Sequence, residues 1–173
     1  MQNTTPTAPK NPLIGTLEAL QFENVSTGIV DKIYQLAEEV AQYEIDNKTV
    51  NTQNVGKVLQ AKYMHKNKEF FIIVHFDESD DIIDIEEHCS GTIDGAAVYP
   101  RESVRSCLER NSVEVMLLHN HPSGLSTPSK ADIAITQRLI KSLKTIDVTI
   151  KDHLILGVTI HSLKSSNPEI WEH

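Results

Sequence analysis

The chain of 173 residues lacks the features that define several large classes of protein. It has two cysteines, Cys89 and Cys107, which do not form a Cys-x-x-Cys pair, so two free thiols in a reducing cytoplasm are expected. No apolar run is long enough to span a bilayer, and no signal peptide is recognisable. We therefore expect a cytoplasmic protein without a membrane segment.

Positive charge is also scarce. The sequence has 16 Lys and Arg against 24 Asp and Glu, which gives a formal net charge of −8, and it contains no basic run. A protein that binds nucleic acid usually shows a basic patch, because contacts to phosphates dominate its affinity. Direct nucleic-acid binding is therefore not expected, although an acidic chain can still carry a local basic patch.

The residues that are present fall into three parts. Residues 1–12, rich in Thr, Pro and Asn, predict a disordered tail. Residues 13–48 predict a helical extension whose apolar residues recur at helical spacing and form one buried stripe. That stripe consists of Ile29, Ile33, Leu36, Val40 and Tyr43. Residues 49–170 mix strands and helices, which predicts an α/β domain with a mixed β-sheet flanked by helices.

Hydrophobic period and turn residues predict the elements of this third part. In order, they are a helix from Asn51, strands at 69–76 and 82–88, a turn at 90–92, a helix from Pro100 to about Asn111, a strand at 113–118, a helix opened near Ser129, a strand from Val148, and a final pair at 154–157 and 158–163. Apolar residues make up 39% of the chain, enough for one modest core.

The most informative stretch follows the apolar strand 113–118. His119 and His121 are two residues apart, so in an extended chain their imidazoles lie on the same side and can converge. Asp132 lies about one turn into the next helix, where its carboxylate can point back at the histidines. Two imidazoles and a carboxylate form a three-ligand set for a divalent metal and leave a fourth position for water, as a catalytic zinc site requires.

The start of that helix permits a second interpretation. Thr127 is placed to cap the helix, with Pro128 in its first turn. Ser129 and Asp132 also match a capping box, in which both would be ordinary helix-start residues, and a lone His-x-His is often structural. The combined spacing favours a metal site: His-x-His, seven residues, Ser, two residues, Asp.

This spacing resembles the JAMM motif of the JAB/MPN+ metalloproteases, matched by His119, His121, Ser129 and Asp132. The stretch HNHPSGLSTPSKADIAITQRLI is similar to the RadC family in particular, although its Leu-Ser at 125–126 replaces the usual Asp-Pro. The resemblance covers roughly residues 50–165. It implies a three-layer fold of the cytidine-deaminase-like type and a Zn²⁺-dependent peptidase or isopeptidase that acts on a peptide or protein. The helix-hairpin-helix region of full-length RadC-like proteins has no counterpart in residues 13–48.

Hydrolysis also needs a general base, because the attacking water must lose a proton and the leaving amine must gain one. In the JAMM family a glutamate at the start of an early apolar strand does this, and Glu69 alone opens such a strand here. Glu86 and Glu87, which end the neighbouring strand, are the alternatives. The family resemblance further implies that the Ser129 hydroxyl donates to the oxyanion. The segment at 152–153, Asp-His, is predicted to be supporting or structural.

The alternative function is that of a DNA-repair-associated accessory or binding protein, which only the family's name suggests. Other zinc enzymes are excluded because their motifs are missing: His-x-Glu with Pro-Cys-x-x-Cys for deaminases, and His-Glu-x-x-His for other metalloproteases. A barrel amidohydrolase needs about 250 residues. The physiological substrate, the metal beyond a divalent ion and the oligomeric state are left open by the sequence.

Overall fold

The computed structural model describes residues 27–91 and 98–172, so the predicted tail at 1–12 lies outside the described residues. Within them the chain forms α1 (Thr27–Asp46), α2 (Val55–Tyr63), β1 (Glu69–Phe76), β2 (Ile82–Gly91), α3 (Pro100–Arg110), β3 (Glu114–Asn120), α4 (Lys130–Lys144), β4 (Thr149–Leu156), β5 (Ile160–Ser162), α5 (Leu163–Ser166) and a last 3-10 turn (Pro168–Trp171). None of these helices has the length and apolar character needed to cross a membrane.

The strands form one five-stranded sheet in the order β2-β1-β3-β4-β5. Strand β1 pairs antiparallel with β2 and β3, β3 pairs parallel with β4, and β4 pairs antiparallel with β5. The predicted α/β class with a mixed sheet is confirmed. The strand that precedes the two histidines is the central one, and its side chains from Val115 to Leu118 are buried.

Each face of the sheet carries its own core. Alternation along β1 sends Ile72 and Val74 to one face and Phe71 and Ile73 to the other. Helix α2 covers the first core, which contains Val55, Leu59, Tyr63, Ile72, Val74, Phe76, Leu118 and Leu156. Helices α3 and α4 cover the second core, which contains Phe71, Ile73, Cys107, Val115, Leu117, Leu139 and Leu143. The result is three layers, each held by apolar side chains worth about 1.5–3 kcal/mol when fully buried.

Helix α1 does bury one apolar stripe, but not the stripe that was predicted. The five predicted residues are between 45% and 67% exposed: Ile29, Ile33, Leu36, Val40 and Tyr43. The helix instead buries Val30, Tyr34 and Ala41. An ion pair and a ring stack hold this orientation: Glu38 pairs with Lys66 at 2.7 Å, and the Tyr34 ring stacks on His65.

Several predicted boundaries also move, two of them for reasons that the contacts show. A turn was predicted at 90–92, of which residues 90 and 91 are described. The prediction is wrong for these two residues, because β2 continues to Gly91, which pairs with Glu69 of β1. The helix predicted from Asn51 begins at Val55, because the Asn51 side chain accepts hydrogen bonds from the backbone N–H groups of Gln53 and Asn54. Such local bonds form a turn that competes with the first helical turn.

Candidate metal centre

The two histidines lie where the central strand ends. His119 is fully buried near the end of β3, and the backbone N–H of His121 donates to the Leu156 carbonyl at 2.9 Å. That bond extends the β3–β4 pairing past Asn120, so the chain stays extended through both histidines. Their side chains share one face, as the spacing predicts. The two Nε2 atoms are 2.9 Å apart.

The third side chain of the group, the carboxylate of Asp132, comes from the first turn of α4. Ser129, not Thr127, is the N-cap: its Oγ accepts from the Asp132 N–H at 3.2 Å, and its own N–H donates to Asp132 Oδ2 at 2.6 Å. This capping box holds the buried carboxylate with Oδ1 3.3 Å from His119 Nε2 and Oδ2 3.6 Å from His121 Nε2. Asp132 thus makes the capping contact and faces both histidines at once.

A chain of hydrogen bonds sets the tautomer of His119. The Thr136 hydroxyl donates to the main-chain carbonyl of Asp132 at 2.5 Å. The hydroxyl oxygen of Thr136 therefore accepts from His153 Nδ1–H at 2.6 Å. The other ring nitrogen of His153, Nε2, then accepts from His119 Nδ1–H at 2.8 Å. Because a neutral imidazole carries one proton, the lone pair of His119 is on Nε2. Complete burial lowers the pKa of His153 well below its usual value, so that ring stays neutral.

The second histidine is oriented by a simpler contact. His121 Nδ1 donates to the main-chain carbonyl of Leu125 at 2.6 Å, so the neutral ring also has its lone pair on Nε2. A carbonyl makes this contact, and the Leu125 side chain is exposed. The departure from the usual Asp-Pro at this position therefore does not remove the hydrogen bond.

The loop that supplies this carbonyl is pinned from two sides. Gly124 has a positive φ of 78°, and its carbonyl accepts from the Val158 N–H at 2.8 Å. Opposite it, a Cβ added at Gly157 would lie 2.3 Å from the Gly124 oxygen, so only glycine permits this approach. The loop after His121 is thereby fastened to the turn between β4 and β5.

Two imidazole lone pairs and a carboxylate therefore face one another without a donor among them. One ligand atom from each of His119, His121 and Asp132 lies within 4.8 Å of the others. The contacts of 2.9, 3.3 and 3.6 Å are shorter than about 4.2 Å, the widest separation that two bonds of about 2.1 Å to one ion allow. These three ligand atoms fit a divalent metal ion. Without a metal ion, a proton must lie between them.

The electrostatics of the cluster agree with this geometry. Burial raises the pKa of Asp132. In the metal-free cluster a proton on the facing nitrogens lets His119 and His121 donate to the carboxylate, and these bonds, with the one from the Ser129 N–H, outweigh burial and hold that pKa far below its usual value. In the same protonated state the hydrogen bond to Asp132 raises the pKa of His121, and the charge of Glu69 adds to the effect. The carboxylate thus stays ionised, and the cluster attracts a cation.

Glu69, the predicted base, lies on the same face of the sheet as His119. Phe71 is directly opposite His119 in the β1–β3 register, and Glu69 is two residues before Phe71. Glu69 lines a cavity of about 300 Å³ together with Asn67, Lys68, Ser90, Gly91 and Pro122. Pro122 follows His121 directly, so the cavity lies beside the group of His119, His121 and Asp132, here called the metal-site cluster.

The two alternative bases are engaged elsewhere. Glu87 accepts a hydrogen bond from the Tyr63 hydroxyl, in the core on the opposite face of the sheet. Glu86 accepts from His88 Nδ1 at 2.9 Å and from the Ser106 hydroxyl, and it pairs with Arg110 at 3.2 Å. Neither carboxylate is among the groups that meet His119. The geometry supports Glu69 over both alternatives, and its role stays a prediction.

Three contributors escaped prediction or were foreseen only in outline. Thr136 and His153 form the chain of hydrogen bonds behind His119, whereas His153 was expected only to be supporting or structural. Asn120 is fully buried between the two histidines, where it accepts from the Phe70 N–H at 2.7 Å and donates to the Lys68 carbonyl at 3.0 Å. These two hydrogen bonds hold the backbone of β1 and of the residue before it, on both sides of Glu69. The available signal was a polar amide inside an apolar strand, which must find partners when buried.

The described fold and site define an α/β domain with a cluster suited to a metal ion at the end of its central strand. A family model described as a RadC-like JAB domain matches residues 49–168. The chain belongs to this family, as the combined spacing of the two histidines, Ser129 and Asp132 and the stretch around them predict.

Curated relatives carry the description UPF0758 protein. One from Cellvibrio japonicus is 46% identical over 103 residues, which is 60% of this chain and 46% of that protein. One from Marinomonas is 36% identical over 127 residues, 72% of this chain and 57% of the relative. One from Shewanella putrefaciens is 36% identical over 157 residues, which is 87% of this chain and 66% of the relative. The chain spans about half the length of the first two relatives.

Proposed function

We propose that this chain is a zinc-dependent hydrolase of amide bonds, a metallopeptidase or isopeptidase. One observation carries the proposal: fixed hydrogen bonds aim two imidazole lone pairs and a buried carboxylate at one point, beside a cavity that Glu69 lines. Two histidines and one carboxylate with an open fourth position are a ligand set of catalytic zinc sites. Membership of the RadC-like JAB family supports the same reading.

In this proposal His119, His121 and Asp132 hold the ion, which when bound polarises a water molecule and the substrate carbonyl. Glu69 takes the proton of the attacking water and delivers it to the leaving amine. The Ser129 hydroxyl accepts from the Asp132 N–H, which leaves its hydrogen for the developing oxyanion. The cavity is at the small end of the range for ligand pockets and suits side chains next to the scissile bond.

The first experiment is metal analysis of the purified chain by mass spectrometry. We expect about one Zn²⁺ per chain, and loss of it in His119→Ala, His121→Ala and Asp132→Ala. His161→Ala is the matched control, because His161 contacts Ser166 outside the cluster. Zinc that survives at full stoichiometry in all three variants contradicts the site. The apolar cores do not depend on the metal, so the zinc-free chain should remain folded, unlike a domain built on a structural zinc.

The second experiment asks what the site acts on. A library of fluorogenic peptides, together with isopeptide-linked substrates, should reveal hydrolysis that a chelator abolishes and Zn²⁺ restores. Cleavage that continues at full rate in the Asp132→Ala variant would assign the activity to a contaminant. A peptide or protein is the partner proposed here. Nucleic acid is not, since the net charge is −8, and tight salt-sensitive binding in a fluorescent DNA titration would favour the accessory role instead.

A further inference from the structure

Helix α1 carries two apolar stripes, of which the domain covers one. Val30, Tyr34 and Ala41 are buried against the domain. The other stripe, here called the outer stripe, consists of Ile29, Ile33, Leu36, Val40 and Tyr43. Its members remain 45–67% exposed, and no part of the chain in 27–91 or 98–172 covers them. Five large apolar side chains in a row on one helix face are typical of an interaction surface.

The spacing within the outer stripe is that of a coiled-coil seam. Its members follow one another at intervals of four, three, four and three residues, an average of 3.5. A stripe with this strict period is narrower than the apolar stripe with which a surface helix covers its own domain. The period keeps one face of the helix turned toward a second helix. In heptad terms Ile33 and Val40 occupy a positions, and Ile29, Leu36 and Tyr43 occupy d positions. The stripe therefore fits a helix as its partner.

We propose that the outer stripe is a homodimer interface in which α1 packs antiparallel against α1 of a second copy. The charges beside the stripe favour this arrangement. Lys32 and Glu39 are exposed g-position residues on the same flank. When Ile33 lies beside the partner's Leu36, Lys32 faces the partner's Glu39, and the twofold axis repeats the pair. A parallel pair would instead place Glu39 beside the partner's Glu44, two like charges.

The helix is also prepared for association. Its inner face is fastened by the Glu38–Lys66 ion pair and by the Tyr34–His65 stack, so binding does not have to order it first. The seam is only two heptads long, about 21 Å at 1.5 Å per residue. Such a small contact predicts a weak, reversible dimer with a dissociation constant on the order of 10–100 µM.

The test is sedimentation velocity on the full chain from about 1 to 500 µM, a range that brackets the expected constant. We expect the mean mass to rise from 19.4 kDa toward twice that value. Leu36→Lys should weaken association at least about tenfold, since it places a charge at the centre of the seam. Gln35→Lys adds the same charge at the adjacent exposed position and should leave association unchanged.

Two outcomes overturn the dimer. One is a chain that stays monomeric over the whole range. The other is Leu36→Lys associating as well as Gln35→Lys. A lowered melting temperature of monomeric Leu36→Lys, read by circular dichroism, would show that the chain's own residues before Thr27 cover the stripe instead.

Charge reversal tests the direction of packing. In the antiparallel pair, Lys32→Glu and Glu39→Lys each weaken association, and the double variant restores it because the opposite charges meet again. In a parallel pair, Glu39→Lys would strengthen association by pairing with the partner's Glu44. That result would overturn the antiparallel arrangement.

Discussion

Two largely buried clusters built on histidine and carboxylate groups lie on the same face of the sheet, and their hydrogen bonds run in opposite directions. In the metal-site cluster of His119, His121 and Asp132, hydrogen bonds use the outer nitrogens and turn lone pairs inward. The second cluster, here called the Glu86 cluster, consists of His75, Glu86, His88, Ser106 and Arg110. There the donors point inward, at the carboxylate of Glu86.

The difference separates a cluster that can take a cation from a structural network. Glu86 receives the Ser106 hydroxyl, an N–H of His88 and the guanidinium of Arg110, so its negative charge is already matched. In the metal-site cluster three acceptor groups face one another and their outer hydrogen bonds place no donor between them, so the cluster can take a cation. Similar residue types thus give opposite outcomes, and the direction of the hydrogen bonds decides between them.

The largest expected effect distinguishes the carboxylates beside the two clusters. Glu69→Gln should keep bound zinc and lower hydrolysis by roughly 100- to 10,000-fold, because the amide cannot accept the proton of the attacking water. Glu86→Gln and Glu87→Gln are the matched controls and should retain most activity. Steady-state kinetics with metal content measured on the same samples checks this. Near-full turnover in Glu69→Gln, together with loss in either control, would assign the base to β2.

The Glu86 cluster should show itself in the acid stability of the fold. Burial, aided by the charge of Arg110, lowers the pKa of His75 from 6.5 to about 4. Below pH 6.5 the His75 imidazole is protonated in the unfolded chain and stays neutral in the folded chain. The free energy of unfolding therefore decreases as the pH is lowered from 6.5 to about 4, and His75 does not change it above pH 6.5. The loss attributable to His75 should reach about 3 kcal/mol.

Urea unfolding of the metal-free chain at several pH values measures this loss. Chelation is required, because protons also compete for the metal-site histidines. His75→Asn should show a shallower decline between pH 6.5 and 4 than the parent chain. Asparagine keeps a polar side chain beside Glu86, which lies 3.3 Å from His75 Nε2. Glu86, whose pKa is lowered by Ser106 and His88 against the effect of burial, therefore still titrates in both proteins. An identical slope in parent and variant argues against the lowered pKa.

The orientation of the ligands in the metal-site cluster predicts a smaller effect on affinity. Thr136→Val keeps the shape of the side chain and removes the hydroxyl that accepts from His153. His153 then loses the contact that fixes its tautomer, and zinc affinity should fall about 10- to 100-fold. Thr145→Val, at the exposed end of α4, is the matched control. Competition with a fluorescent chelator measures both, and equal affinities would separate Thr136 from the metal site.

The smallest effect is expected at the rim of the Glu86 cluster. Arg110→Lys keeps the positive charge but cannot span Asp84 and Glu86 as the guanidinium does. Both contacts are partly exposed to solvent, so the loss should be about 1 kcal/mol of unfolding free energy. Zinc content should not change. A loss of zinc in this variant would mean that the two clusters are coupled.

What the sequence alone could predict was local. The period of an extended chain places His119 and His121 on one side, and the first turn of a helix aims Asp132 back toward them, so spacing was enough to predict that these three side chains meet. The mixed α/β fold follows in the same way from the alternation of strand and helix patterns. Glu69 needed a family pattern as well, because many carboxylates begin or end strands.

Only the tertiary structure decided the contacts that join distant parts of the chain. His153 meets His119 because β4 lies parallel to β3, a pairing that no local period specifies. Asn120 grips β1 across about fifty residues of sequence, and this pairing also depends on the register of the sheet. The face of α1 was decided in the same way. Both of its stripes are apolar at helical spacing, so the sequence permits either to be buried, and packing against the domain through Glu38 and Tyr34 selected one.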